Sequence, residues 1–324
     1  MNYKPPYTIT SKIANLIARI SEKMGRIEVN LNELITLKLR RINRIKTLAG
    51  TLEIEGNFLG EEKITAILEG KRVLGTFQEI TEVEGAIRAY KEFENYDHKN
   101  MNDLLKAHKL LMQGVLKTPG VFRAVNVAVG GKDGVAHVAP PCGKVPILMS
   151  NLFEWLQNTD EHPLIKSSVF HYEFEFIHPF SDGNGRIGRL WQSVILYSWK
   201  EAFLAVPVES VVRDYQERYY EAIEASSALG ESTPFVEFML EVILKSIESS
   251  VISSEKSSVN TDEAILLYLQ KNPKATIKML ATELQLTTRA IEKQLANLKK
   301  ENRLQRIGSA RKGEWAVMAE GSHR

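Results

Sequence analysis

The sequence predicts a mainly α chain, interrupted by one β-hairpin and closed by a smaller basic helical domain. Three observations predict this. Apolar residues recur at helical spacing through most of residues 10–247. One segment, 121–138, is rich in β-branched residues around paired glycines. Residues 261–324 concentrate the positive charge, with twelve Lys and Arg against seven Asp and Glu.

Taken in order, Ile13, Leu16, Ile17, Ile20 and Met24 define a first amphipathic helix, with Thr10 or Ser11 as its N-cap. Leu31, Leu34, Ile35, Leu39 and Ile42 define a second, from Leu31 to Ile45. Further helical patterns cover Glu61–Glu69, Glu82–Tyr96, Met101–Val115, Pro163–Phe176, Arg186–Trp199, Val211–Leu229 and Pro234–Ile247. Between them, Val121 to Val138 carries Gly130-Gly131 and Asp133-Gly134 between two β-rich arms, a hairpin signature that Pro140-Pro141 closes. Serines dominate Ser246–Asn260, which reads as a linker or a helix end running into one. Three short helical patterns follow, Asp262–Gln270, Thr276–Leu284 and Thr287–Glu301, and then a basic, glycine-interrupted tail, Arg303–Met318.

The 324 residues suffice for more than one domain, and 44% apolar with 25% charged content is ordinary for a globular protein. A single cysteine, Cys142, excludes an internal disulfide and a cysteine-rich zinc site, which suits a reducing cytoplasm. The first residues lack the layout of a signal peptide, and no apolar run is long enough for a bilayer, so no membrane contact is expected. The net charge of +2 favours no polyanionic partner for the chain as a whole.

The run His178-Pro-Phe-Ser-Asp182-Gly183-Asn184-Gly185-Arg186-Ile-Gly-Arg189 carries the chemistry. Two glycines flank Asn184 just before an apolar-periodic helix, permitting tight turns and close approach of a ligand. The start of that helix offers unpaired N–H groups and positive potential, which suits phosphate. Arg186 and Arg189, three residues apart, share a helical face and can clamp successive phosphates. Asp182 offers a hard oxygen for a phosphate-bound metal ion, and His178 a base that works near neutral pH. Singly each feature has an ordinary explanation, as a turn, a structural histidine or a solvated helix face. Their coincidence in one short segment does not.

This run resembles the active-site signature of the Fic family, His-Pro-Phe-x-Asp-Gly-Asn-Gly-Arg-x-x-Arg, at every defining position. The resemblance implies a Fic-fold helical bundle whose hairpin forms a flap. It also implies a protein adenylyltransferase that moves AMP from ATP to a Tyr, Thr or Ser hydroxyl. His178 would then be the general base and Asp182 the ligand of Mg2+ bound with ATP. Asn184 with the Gly183 and Gly185 backbone would cradle the α-phosphate, and Arg186 and Arg189 would hold the β- and γ-phosphates.

Far upstream, Thr51-Leu-Glu-Ile-Glu55-Gly56-Asn57 reads locally as a helix end. It resembles the family's inhibitory motif, Ser/Thr-x-x-x-Glu-Gly/Asn, which implies that Glu55 pairs with Arg189 and disfavours productive ATP. A target protein is expected to add as a strand to the flap 121–138. Tyr219 and Tyr220 are candidates for adenine contact, although paired tyrosines on a helix are more often core. Residues 261–324 resemble a winged helix-turn-helix, with Thr287 or Thr288 capping a third helix that shows Arg289, Lys293, Gln294 and Lys300, and Asn302 at its C′ position. DNA or a protein would contact it.

The expected organisation is an N-terminal helical region at 1–95 carrying the inhibitory motif, a catalytic core at 96–247, a linker at 248–260 and the winged domain at 261–324. A second copy of the chain is a further expected partner. Two other functions fit the same residues: a nucleotide-responsive transcriptional regulator, or a Fic-fold enzyme that uses another nucleotide or removes AMP.

Overall fold

The computed structural model describes residues 3–30, 33–131, 134–284, 286–308 and 313–318. Leu31 at the start of the second expected helix, Lys132-Asp133 at the hairpin turn, and Ser309 to Lys312 in the basic tail lie outside the described residues. The chain forms two compact units, 1–30 with 39–250 and 31–38 with 251–324.

In the larger unit, α1 (Ser11–Asn30) starts as expected, with Thr10 Oγ1 accepting from the Ile13 amide at 3.1 Å. The second helix, α2 (Glu33–Ile54), runs nine residues beyond its expected end. Gly50 does not break it, because the missing side chain has a packing reason: a Cβ there would lie 2.8 Å from Ser210 Cα. Next come α3 (Gly60–Leu68) and α4 (Phe77–Lys91). The latter begins five residues before Glu82, at a capping box in which Thr76 and Glu79 bond each other's backbone amides. A 3-10 turn at Phe93–Asn95 replaces its expected last turn, and α5 (Met101–Met112) follows, capped by Asn100.

The hairpin is shorter than its sequence pattern. Strands β1 (Ala128–Gly131) and β2 (Gly134–Val138) pair antiparallel, with a bulge between Val129 and Gly130, while 121–127 form no strand. A helix that the sequence pattern left unassigned, α6 (Val145–Asn158), buries Val145, Met149, Leu152, Phe153, Trp155 and Leu156.

The centre of the unit is α7 (Pro163–Ile177) against α8 (Asn184–Trp199). Nearly every residue of α7 from Leu164 to Phe174 is buried, the pattern of a helix surrounded by others. Trp191 of α8 is fully buried and donates its indole N–H to the His98 carbonyl at 3.1 Å. Residues 211–229, expected as one helix, belong to two, α9 (Val208–Asp214) and α10 (Gln216–Leu229), separated at Tyr215. The helix α11 (Thr233–Lys271) begins in this unit and continues helically through the serine-rich stretch 248–260 into residues of the smaller one.

In the smaller unit, α12 (Ile277–Glu283) and α13 (Thr288–Lys300) are capped by Thr276 and Thr287, and β3 (Leu304–Ile307) pairs antiparallel with β4 (Glu314–Val317). Ile265, Leu269, Leu280, Ile291, Leu295, Leu298, Leu304 and Trp315 form its core. Asn302 takes the left-handed conformation, φ 58°, that ends α13. Arg289, Lys293 and Lys300 are exposed on α13. Among the described residues no helix is long and apolar enough to cross a membrane.

Gly85, inside α4, decides how closely α4 approaches α5, since a Cβ there would sit 2.0 Å from the Leu111 carbonyl oxygen. Helix propensity favours alanine over glycine by ~1 kcal/mol, but overpacking against backbone costs ~1–3 kcal/mol or more. Gly85→Ala should therefore lower the urea midpoint of unfolding rather than raise it.

Candidate active site

α7 ends because His178 leaves the helical region: its φ of 49° and ψ of 62° are left-handed, while its amide still donates to Phe174 O at 2.9 Å. For a residue other than glycine that conformation costs ~1–2 kcal/mol, so neighbouring contacts must hold it. The following turn is closed by Asn184, whose Oδ1 accepts from the Phe180 amide and whose Nδ2 donates to the Phe180 carbonyl, both at 2.9 Å. The carboxamide is thus committed to the turn. Gly183 has a φ of 81° and no room for a side chain, with Met112 Sδ 2.6 Å from where a Cβ would be.

Two residues outside the motif support the turn. His108 of α5 is fully buried, stacked on Phe180 with ring centroids 3.6 Å apart. Its Nδ1 accepts from the Gly120 amide at 2.8 Å, so its Nε2 carries the proton and donates to the Asp182 carbonyl at 3.0 Å. Burial pushes its pKa down to about 4 and keeps the ring neutral. Arg123, also buried, donates Nε to His178 O at 2.7 Å and Nη1 to Val125 O at 2.8 Å. Its Nη2 reaches Pro140 O and Ile177 O. This clip explains why 121–127 run as irregular chain rather than as hairpin arm.

At the start of α8 no side chain caps the first turn. Asp182, half-exposed, accepts from the Gly183 amide at 2.6 Å and lies 3.4 Å from Arg186 Nη2. Arg186 is buried and also lies 3.7 Å from Glu82 of α4. Arg189 is buried as well. Its Nε donates to Thr51 Oγ1 at 3.0 Å, and its Nη2 donates to Thr51 O at 3.1 Å and to Glu55 Oε1 at 2.7 Å.

Glu55 follows the end of α2 and reaches over Gly185, where a Cβ would fall 2.5 Å from Oε1. Burial opposes its charge, yet Arg189, then Arg186 and His178, hold its carboxyl below the ordinary range. Burial likewise opposes the charge of Arg189, and Glu55 raises its pKa against that. Asn57 fixes the segment to α4, its Nδ2 donating to Glu79 O at 3.0 Å and to Glu82 Oε2 at 2.9 Å. Glu82 therefore touches both the segment that carries Glu55 and Arg186.

Of the two tyrosines, Tyr219 is fully buried with its hydroxyl 3.1 Å from His171 Nε2, and Tyr220 is 44% exposed. Tyr219 thus has the environment of a core residue, and only Tyr220 shows a ring to solvent. Beneath Gly188 lies Glu175, whose Oε1 would be 2.7 Å from a Cβ there and is 3.8 Å from His171 Nε2. Burial pushes the Glu175 carboxyl up to about 8, an effect that Arg189 reduces and Glu55 adds to. Neither His108, Arg123, Glu82 nor Glu175 carried a signal in the sequence.

With this geometry in view, the model of the Fic/DOC family matches residues 99–196, and a winged helix-turn-helix DNA-binding model matches 260–305. A solved Fic family protein from Desulfovibrio desulfuricans G20 is 39% identical, with a TM-score of 0.76, over 99% of this chain and 100% of that one. The chain belongs to the Fic family. Fic-1 from C. elegans, at 21% identity and a TM-score of 0.65 over 76% of this chain and 73% of that one, shares the fold.

A protein adenylyltransferase Fic from Culex quinquefasciatus is 29% identical over 215 residues, 63% of this chain and 41% of its own length. One from Drosophila ananassae is 28% identical over 208 residues, 61% and 40% respectively. The chain thus spans about two fifths of the length of these relatives.

The buried carboxyl of Glu175 has a consequence for stability. With a folded pKa raised to about 8 from an ordinary 4.5, its contribution is fully present below pH 4.5 and is lost as pH rises through 8. Glu175→Gln should flatten this alkaline loss. The difference in thermal midpoint between pH 5 and pH 8.5 should be smaller in the variant by calorimetry, and an equal difference would refute the assignment.

Proposed function

We propose that this chain transfers AMP from ATP to a Tyr, Thr or Ser hydroxyl of a target protein and is restrained by its own Glu55. The observation that carries this reading is the Glu55 carboxylate on Arg189 at the uncapped first turn of α8, within the electrostatic reach of His178. A carboxylate resting where two arginines and a helix start converge marks a place suited to phosphate.

In the proposed reaction His178 takes the proton of the target hydroxyl. The oxygen attacks the α-phosphorus, the bond from α-phosphorus to the bridging oxygen breaks, and pyrophosphate departs with its electron pair. The backbone from Gly183 to Gly185 faces the α-phosphate, and Arg186 and Arg189 hold the β- and γ-phosphates. Such transfers gain most from positioning and electrostatics, which a rigid turn supplies.

Asp182 fits as the protein ligand of Mg2+ carried with ATP. Its carboxylate is half-exposed at the phosphate end of the turn, and one or two carboxylates usually serve nucleotide-bound magnesium. When bound, Mg2+ would neutralise charge on the departing pyrophosphate. The target is proposed to lie along β1–β2, where an extended segment gains main-chain hydrogen bonds. Tyr220, rather than the buried Tyr219, is the better candidate for the adenine ring.

Restraint follows from competition. While Glu55 holds Arg189 and Glu82 lies beside Arg186, each phosphate-binding guanidinium already faces a carboxylate. Both ends of the clamp must exchange partners before ATP is held productively. The names of the insect relatives support AMP transfer, and a cytoplasmic site of action agrees with the lone cysteine.

Glu55→Gly should raise automodification with α-labelled ATP at least about tenfold, the scale set by losing one charge-assisted competitor. His178→Ala in the same background should abolish the label. An unaltered rate in the Glu55 variant would remove the restraint without touching the transfer. Mass analysis after incubation with each nucleotide separates AMP transfer from use of another nucleotide or AMP removal.

The exposed basic face of α13 and the match to a DNA-binding winged helix support contact with DNA through the smaller unit. Duplex binding in a gel shift should then weaken steeply between 50 and 200 mM salt, as phosphate contacts demand. A flat salt dependence would exclude it.

A further inference from the structure

Arg123 is unusual in its partners. A buried guanidinium normally faces a carboxylate, yet among the described residues Arg123 has no ion pair, and its side chain donates only to main-chain carbonyls. Those carbonyls come from two places. Val125 and Pro140 stand on the two legs of the hairpin, and Ile177 and His178 are the last residues before the catalytic turn. The backbone of Arg123 adds a third tie, its amide donating to Pro179 O at 2.9 Å. The legs are also tied to each other, with Cys142 N donating to Asn126 Oδ1 at 2.8 Å.

One of the carbonyls that Arg123 holds, through Nε at 2.7 Å, is that of His178, the residue in left-handed conformation. Rotation of that backbone toward the helical region would swing both the carbonyl and the imidazole. A planar fork with five donors can hold four carbonyls in fixed directions, and an ammonium on a flexible stem cannot.

We propose that Arg123 is a positioning residue for the transfer reaction, setting the register between the hairpin that presents the target hydroxyl and the imidazole that deprotonates it. The proposal rests on the transfer reading above. It assigns Arg123 no contact with nucleotide, whose proposed holders are the start of α8, Arg186 and Arg189. Nucleotide affinity and group transfer should therefore separate in Arg123 variants.

The test uses the full chain in the Glu55→Gly background, with Arg123→Lys and Arg123→Met. Binding of a non-hydrolysable ATP analogue is measured by calorimetry and automodification with α-labelled ATP by rate. Arg123→Lys should keep one analogue per chain and a Kd within about twofold, while the transfer rate falls at least about thirtyfold; Arg123→Met should fall further. The unchanged stoichiometry separates misplacement from loss of folded protein. Transfer within threefold of the parent in Arg123→Lys would overturn the proposal, and so would a parallel loss of analogue binding.

If the Glu55→Gly parent transfers no group from any nucleotide, the functional reading fails, and the positioning claim is decided by NMR instead. The 13C-histidine signal that disappears in His178→Ala should shift or broaden in Arg123→Lys. An unmoved signal would overturn the claim.

Discussion

A guanidinium enclosed in a helical core needs compensation for its lost hydration, and at Arg189 an anion supplies it, a constraint that organises the larger unit. Arg189 is sunk among α7, α8 and α2, where desolvation of an unpaired cation costs several kcal/mol. Thr51 satisfies two of its donor bonds through Oγ1 and its carbonyl, but neither supplies charge. Glu55 does. A phosphate could do the same, and Glu55 already lies close over the bare Cα of Gly185. The proposed restraint is thus part of the same electrostatic requirement that suits the site to an anion.

The residues that would do chemistry are few, and those that hold them still are more numerous. Asn184 spends both ends of its carboxamide on Phe180, His108 spends both ring nitrogens on Gly120 and Asp182, and Arg123 spends its fork on four carbonyls. Each bond goes to the main chain, so none depends on the side chain at the other end. A turn built this way keeps its shape while the surface around it varies. It also keeps a left-handed histidine that would otherwise relax.

The run 178–189 stands out in the sequence because a histidine, a carboxylate, glycines and arginines crowd into twelve residues, and the same density makes the Fic resemblance specific. Glu55 was readable only in company with that run, since a glutamate near a helix end has no meaning alone. Other features were hidden for identifiable reasons. The last turns of α2 lie beyond the apolar repeat that ends near Ile45, and Gly50 within them packs on Ser210, distant in sequence. The Pro140-Pro141 and Cys142-Gly143 pairs masked α6, whose largely apolar face lacks a side-chain cap. His108, Arg123 and Glu82 bond to backbone or to residues tens of positions away, which no local pattern reveals. Tyr219 and Tyr220 were indistinguishable as neighbours, yet about 100° of helical rotation puts one in the core and the other in solvent.

Gly50 has a bearing on where Glu55 stands. The bare backbone of α2 lies close against that of Ser210, so that a side chain here would collide with it. Glu55 stands five residues further on, at the close of the same helix. Between that contact and the carboxylate lies a single closing turn, in which the amide of Glu55 bonds Leu52 O at 3.1 Å, so the reach of Glu55 toward Arg189 is set by this turn and by its own side chain.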